Sequence, residues 1–425
     1  DITGAGAFTL TSAGDISLSE NFTTAGATII TADSDGNGAG DFSISVSKAL
    51  STGNNPLVLT ANDVTLSGSI SSGTDSTTIT ISDGGTIGLG GTTGNMTITD
   101  TELGKITAGT LNIGNSSTGN MTVDGITASN SSNATTINLT TTDASSVSFS
   151  NNNSTFNALT VNSGSTSFGS GLTVTTDTGK LTLNSASIAS AGTLTLAGAT
   201  GIDFGSGVTF AAGGALSMAT TSGDITGAGA LTLTSAGDIS LSENLTTAGA
   251  TVITADSDGN GAGDFSISAS KALSTGNNSF ALTANDVTLS GSVSTGTGST
   301  TIIVSDGGTI GLGGTAGNMT ITDDELGKIT AGTLNIGNSS TGNITVDGIT
   351  ASNSNNVSTV NLTAANAASV SFSNNASTFK GLTVSAGNGI NQSYGIGMHF
   401  LKSREFKNSL SHHGLEIRFD KVNIN

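Results

Sequence analysis

The chain has 425 residues, of which 34% are apolar and 10% charged, with 61 glycines, one proline and no cysteine or tryptophan. Its formal charge of −19 disfavours nucleic acid and anionic membrane surfaces as partners, since both are held by clustered Lys and Arg. The lack of Cys removes disulfides, thiol catalysis and cysteine metal sites together. Low hydrophobicity also suits a disordered chain. Here, however, Pro, Lys, Glu and Gln are scarce, and the Ile, Val, Leu and Phe present alternate with Ser, Thr and Asn. An ordered chain is therefore expected. No apolar run reaches the ~18 residues of a membrane helix, so no transmembrane segment is expected. The first residue is Asp1 rather than Met, which reads as a piece of a longer polypeptide.

Along the chain the fine grain has period two. Phe42, Ile44 and Val46 are separated by serines, and the alternation returns at Ile79/Ile81, Met96/Ile98, Leu111/Ile113, Met121/Val123, Ile137/Leu139 and Val147/Phe149. It continues at Leu159/Val161, Leu172/Val174, Leu181/Leu183 and Leu194/Leu196. Each is a short strand with one apolar and one polar face. Between them lie Gly, Asn, Asp and Ser clusters such as GNSSTGN, which are turn chemistry. No stretch has an apolar period of 3.6, so essentially no helix is expected.

With 4% aromatics such a chain cannot fill a wide sandwich. A parallel β-helix, or β-solenoid, needs only a thin core, because coils stack at the ~4.8 Å strand spacing. Two or three strands per coil predict coils of ~20–25 residues.

A coarser period overlies the fine one. DITGAGAFTLTSAGDISLSE at Asp1 returns at Asp224 as DITGAGALTLTSAGDISLSE, and the 223-residue shift holds without a gap to about Gly387. Long, indel-free repetition points to an array rather than a compact enzyme. Three segments follow: a repeat block 1–223, a partial block 224–388 and a divergent basic tail 389–425. Between blocks, Phe8 becomes Leu231, Ile29 becomes Val252, Ile70 becomes Val293, Met121 becomes Ile344 and Ile137 becomes Val360. Volume-like swaps are cheap in packed cores, so all are expected to point inward. The tail holds every histidine (His399, His412, His413), both arginines (Arg404, Arg418) and Tyr394. It reads either as a cap or as an unrelated frame joined to a truncated repeat.

One motif suggests a metal. In DSDGNGAGD, Asp33, Asp35, Asn37 and Asp41 occupy positions one, three, five and nine of a calcium-type loop, with Gly38 at six. Asp256, Asp258, Asn260 and Asp264 repeat it. Position twelve is Ile44 or Ile267 where a bidentate Glu would close the shell, so an Asp/Asn/Gly turn competes with calcium. DGGTIGLGG at Asp83 and Asp306 reads as a glycine-rich turn. Thr-x-Thr pairs read as ordinary strand surface. Residues 1–388 contain no His, Cys or Arg, which excludes a Ser-His-Asp arrangement, and the expectation is that the chain is not an enzyme. A paired-carboxylate site near Asp100 or near Asp323, Asp324 and Glu325 is the one catalytic alternative, against solvated turns.

FTLTSAGDISLSE, TLNIGNSSTGNITVDGITAS and LTLNSASIASAGTLTLAG resemble the repeat regions of filamentous haemagglutinin-type adhesins, the two-partner secretion exoproteins, and some autotransporter passengers. The resemblance covers residues 1–388. It implies a right-handed parallel β-helix at the bacterial cell surface, exported with an outer-membrane partner, and attachment to host-cell or surface glycans or proteins. The expectation is a structural or adhesive shaft segment requiring no cofactor. The alternative is a carbohydrate-active or carbohydrate-binding β-helix.

Overall fold

The computed structural model describes residues 1–392, 396–398 and 417–418. The histidines, Arg404 and Tyr394 of the tail lie outside the described residues. The chain forms a β-solenoid of parallel stacked strands, about 18 turns over its two compact units and about 4% helix. One unit comprises Asp1–Val208 and Ala219–Asp224, the other Thr209–Met218 and Ile225–Asn425.

In the first unit one face runs through Phe8–Thr11, Thr28–Thr31, Leu57–Ala61, Ser76–Ile81 and Ile106–Gly114, each in parallel register with the next. It goes on through Ala134–Thr140, Leu159–Asn162, Leu181–Leu183 and Ile202–Phe204. The second unit repeats the pattern from Leu231–Ser235 through Thr251–Thr254, Phe280–Ala284, Ser299–Val304, Ile329–Ile336, Val357–Thr363 and Leu382–Ser385. Coil length varies more than the sequence predicts. The step from Phe8 to Thr28 is 20 residues, but that from Thr77 to Leu111 is 34, because an extra strand and a helical turn lie within it.

Alternation sets the core. Ile79, Leu111, Ile113, Ile137, Leu139, Leu159 and Val161 are 0–1% exposed, and full burial of such side chains stabilises by ~1.5–3 kcal/mol each. The coil corners bury hydroxyls as pairs. Thr24 and Thr28 meet at 2.7 Å, Ser72 and Thr77 at 2.8 Å, and Thr295 and Thr300 at 3.1 Å. Among the described residues no buried side-chain nitrogen or oxygen lacks a hydrogen-bond partner. Outward asparagines stack likewise: Asn138 donates to Asn112, which donates to Thr78.

Two inward assignments fail. Ile29 and Val252 are 45% and 38% exposed, while Thr28 and Thr251 are buried beside Ile30 and Ile253. The corner hydroxyl pairs of Thr24–Thr28 and Thr247–Thr251 pull the threonines inward, and strand alternation then turns Ile29 and Val252 outward. Val46 is 73% exposed, since its strand ends at Ile44 and Ser47 takes a positive φ of 63°.

Candidate functional site

In each repeat one coil carries an inserted strand and helical turn. DGGTIGLGG is a strand, Ile87–Gly90, buried throughout, rather than only a turn. It pairs in parallel with Met96–Ile98 on one edge and Met121–Asp124 on the other. A parallel neighbour normally needs a crossover of a dozen or more residues, whereas here only Gly91–Asn95 intervene. Gly88 and Gly94 permit it, because a Cβ on Gly88 would lie 2.5 Å from the carbonyl carbon of Thr93, and one on Gly94 would lie 2.5 Å from the nitrogen of Gly88. Gly311 and Gly317 repeat this close approach.

The chain then makes one helical turn, Asp100–Leu103, and a coil later a second, Ala128–Ser131. Asp323–Leu326 and Ala351–Ser354 are their counterparts. These turns are too short for a hydrophobic period to register. The signal that does find the first of each pair is the capping box T-x-x-E. Thr99 accepts from the Glu102 amide, and the Glu102 carboxylate accepts from the Thr99 amide. Glu102 also supports the neighbouring coil: its Oε1 accepts from the Leu66 amide, and Lys105 Nζ donates to the Leu66 carbonyl. Asp63 accepts from the amides of Val64 and Thr97. Side chains thereby occupy the backbone groups of Val64–Leu66. Burial pushes the Asp63 carboxyl up, its two amide donors opposing. Glu325, Lys328 and Asp286 perform the same roles for Leu289, Val287 and Thr320.

Beside the second repeat's helical turns an open groove of about 490 Å³ is lined by Gly313, Gly314, Thr322, Asp323, Asp324, Asp347, Gly348, Asn375 and Ala376. Gly313 among them has a φ of +89°, and a Cβ there would come within 2.0 Å of the Asp347 carbonyl oxygen. Asp323 ties the two helical turns together, accepting from the Thr350 amide and hydroxyl and from Asn353 Nδ2 at 2.8–2.9 Å. Asp347 is 4% exposed and accepts from Asn375 N and Nδ2 and from Asn374 Nδ2. Burial raises its pKa, but those donors outweigh it, and the net shift is downward. Glu325 is held by Leu289 and Thr322. Of the carboxylate candidates, Asp324 alone is exposed without a hydrogen-bond partner among the described residues. Its counterpart in the first repeat is Thr101.

The calcium-type loops are built around their first aspartate. Asp33 sits at φ +53°, is 1% exposed, and accepts from the amides of Asn37 and Gly38 and from the Ser82 hydroxyl. Asp35 accepts from Asn37 Nδ2, and Asp41 from Asn62 Nδ2 and the Asp63 amide. Asp256, Asp258, Asn260 and Asp264 reproduce the arrangement, with Ser305 donating to Asp256. These carboxylates bind the loop to itself and to adjacent coils. Among the described residues no group of three or more acidic, histidine or cysteine side chains is arranged to hold a metal ion. The Ser82 hydroxyl, with the Gly38 and Asn37 amides, holds the Asp33 carboxyl below the usual carboxylate range against the opposing effect of burial. A depressed folded-state pKa gives stability that is complete above the unfolded value and fades as pH falls through the folded one. The D33N variant is therefore expected to melt below the parent at neutral pH, with the gap in Tm narrowing below about pH 4. A gap independent of pH from 7 to 3 would show that the charge on Asp33 contributes nothing.

No protein-family model, curated protein or solved structure matches the chain. Among the described residues no helix is long and apolar enough to cross a membrane.

Proposed function

We propose that the chain is a structural or adhesive shaft segment of a large exported bacterial surface protein, of the kind its repeats resemble in filamentous haemagglutinin-type adhesins. The observation that carries this reading is the coil-to-coil parallel pairing in each unit. Within each unit main-chain ladders hold the described coils to their neighbours, so length is set by coil number, as a shaft requires. The duplicated side chains are mostly directed to that continuity: Glu102 and Lys105, or Glu325 and Lys328, bridge the point where the ladder is interrupted. In this reading the chain acts outside the cell, reaches it through an outer-membrane export partner, and meets surface glycans or proteins. Beads coated with the protein should adhere to epithelial cells or polysaccharide films above albumin-coated beads. Adhesion at the albumin level on every surface tested would remove the adhesive part of the proposal.

The groove favours carbohydrate binding or cleavage as the second reading, because Thr322, Asp323, Asp347 and Asn375 line it together with the exposed carboxylate of Asp324. Reducing ends released from polysaccharides by the parent and lost in D324N would reverse the order of the two readings.

A further inference from the structure

Asparagine followed by glycine occurs three times in the chain, at Asn37–Gly38, Asn260–Gly261 and Asn388–Gly389. The pair carries a latent reaction. The glycine nitrogen can attack the asparagine Cγ, because glycine has no side chain to obstruct the approach. The N–Cγ bond forms and the Cγ–Nδ2 bond breaks. The glycine N–H proton passes to a base in the solvent, and the side-chain nitrogen takes a proton from water and leaves as ammonia. Water then opens the cyclic imide at one of its two carbonyls. The product is aspartate, or isoaspartate with one extra carbon in the main chain.

Two of the three pairs are held against this reaction. Asp33 accepts from the amides of Asn37 and Gly38 at 3.0 Å each, and Asp35 accepts from Asn37 Nδ2 at 2.9 Å. Both the attacking nitrogen and the leaving nitrogen are tied to carboxylates. A carboxylate also opposes loss of the proton it accepts, since that would place two negative charges together. Asp256 and Asp258 hold Gly261 and Asn260 in the same way.

The third pair lacks this restraint. Asn388 is exposed, and among the described residues neither its side chain nor the Gly389 amide has a hydrogen-bond partner. The pair nevertheless stands within a ladder. The Asn388 amide donates to the Ala368 carbonyl at 2.9 Å, and the Gly389 carbonyl accepts from the Val370 amide at 3.2 Å. The strand that follows, Ile390–Gln392, lies in parallel register on Val370–Phe372. The first repeat has Ser165 and Thr166 at this place, which cannot form the imide.

We propose that Asn388 is a site of spontaneous deamidation in the folded protein, and that Asp33 and Asp256 keep the same dipeptide intact in their loops. Isoaspartate at 388 inserts a carbon between two main-chain groups that the ladder holds in place. The reaction therefore loosens Ile390–Gln392 from Val370–Phe372, slowly and without return.

The test ages the full chain at mildly alkaline pH, folded or in urea, and follows each asparagine by tryptic digestion and mass spectrometry, with fragmentation to separate isoaspartate from aspartate. The peptide between Lys380 and Lys402 carries Asn388, and Asn391 in it, followed by Gln392, is an internal reference. In the folded chain Asn388 should convert at least about tenfold faster than Asn37 and Asn260, where a charge-assisted hydrogen bond must open first. In urea the three should convert at similar rates. Exchange at the Val370 amide should quicken in step with isoaspartate at 388. D33N should speed conversion of Asn37 while Asn260 in the same sample stays slow. Equal rates at the three sites in the folded chain, or the same preference for Asn388 in urea as in the fold, overturns the proposal. D33N that leaves Asn37 as slow as Asn260 removes the guarding role of the carboxylate.

Discussion

Replacing Gly311 by Ala should cost ~3 kcal/mol or more, the upper range for forcing atoms into a filled site. The new Cβ would lie 2.3 Å from the Thr315 oxygen, 2.6 Å from the Ala316 carbonyl carbon and 2.8 Å from the Gly317 nitrogen. All three are backbone atoms, so no side chain can rotate away. The five-residue return between Ile310–Gly313 and Met319–Ile321 would open, and the register of Ile310 on Met319 would be lost. Met319 and Ile321, both fully buried, would then lose their places. Gly6 is the matched comparison: a Cβ there meets nothing within 4 Å, and G6A should fall within about 0.5 kcal/mol of the parent. Urea unfolding reads both values. Hydrogen exchange should place the G311A damage in Ile310–Gly313, Met319–Ile321 and Ile344–Asp347 before any other strand. A G311A chain as stable as G6A would mean that the fold-back is not held by glycine contact.

Much of the architecture was legible in the residues because a solenoid writes its core in period two. Met121, Ile137 and Leu159 alternate with Thr and Asn and are fully or almost fully buried. The gap-free repeat predicts that equivalent coils recur, as they do from Phe280–Ala284 through Leu382–Ser385. Legibility failed where a side chain's partner is distant or the element too short to have a period. Ile29 and Val252 look inward by size, yet hydroxyl pairing at the adjacent corner turns them out. Gly88 and Gly94 look like turn residues, because the reason for their lack of a side chain is each other. Spacing within the loop offers Asp33 either to a calcium ion or to an Asp/Asn/Gly turn, and it does not reveal that Ser82, 49 positions away, donates to the same carboxylate. Asp323 is committed to Thr350 and Asn353 in the following coil, a use that spacing within one loop does not reveal. The capping-box residues Thr99 and Glu102 are the exception: the T-x-x-E spacing marks a helical turn that is too short to show a helical period.

Phe280 offers a test of how the core is divided among coils. Its ring is 1% exposed and lies 6.4 Å from that of Phe265, centroid to centroid. The first repeat has Leu57 at this place, also fully buried, beneath the same Thr77/Thr300 column and above Thr28 where the second repeat has Thr251. The repeat therefore supplies its own conservative variant. F280L should cost about 1 kcal/mol, since the site is already known to close around Leu. F280A should cost ~3–5 kcal/mol, because parallel ladders on both edges hold the strand in place and stop the walls from collapsing into the cavity. In a stack where each coil touches only its neighbours, the loss should stay local. Amides of Thr251–Thr254 and Ser299–Val304 should lose most protection, and those of Val360–Leu362, further along the same unit, much less. Uniform loss across the unit would show that its coils unfold as one body, and the length of such a shaft could then not be changed a coil at a time without changing its stability throughout.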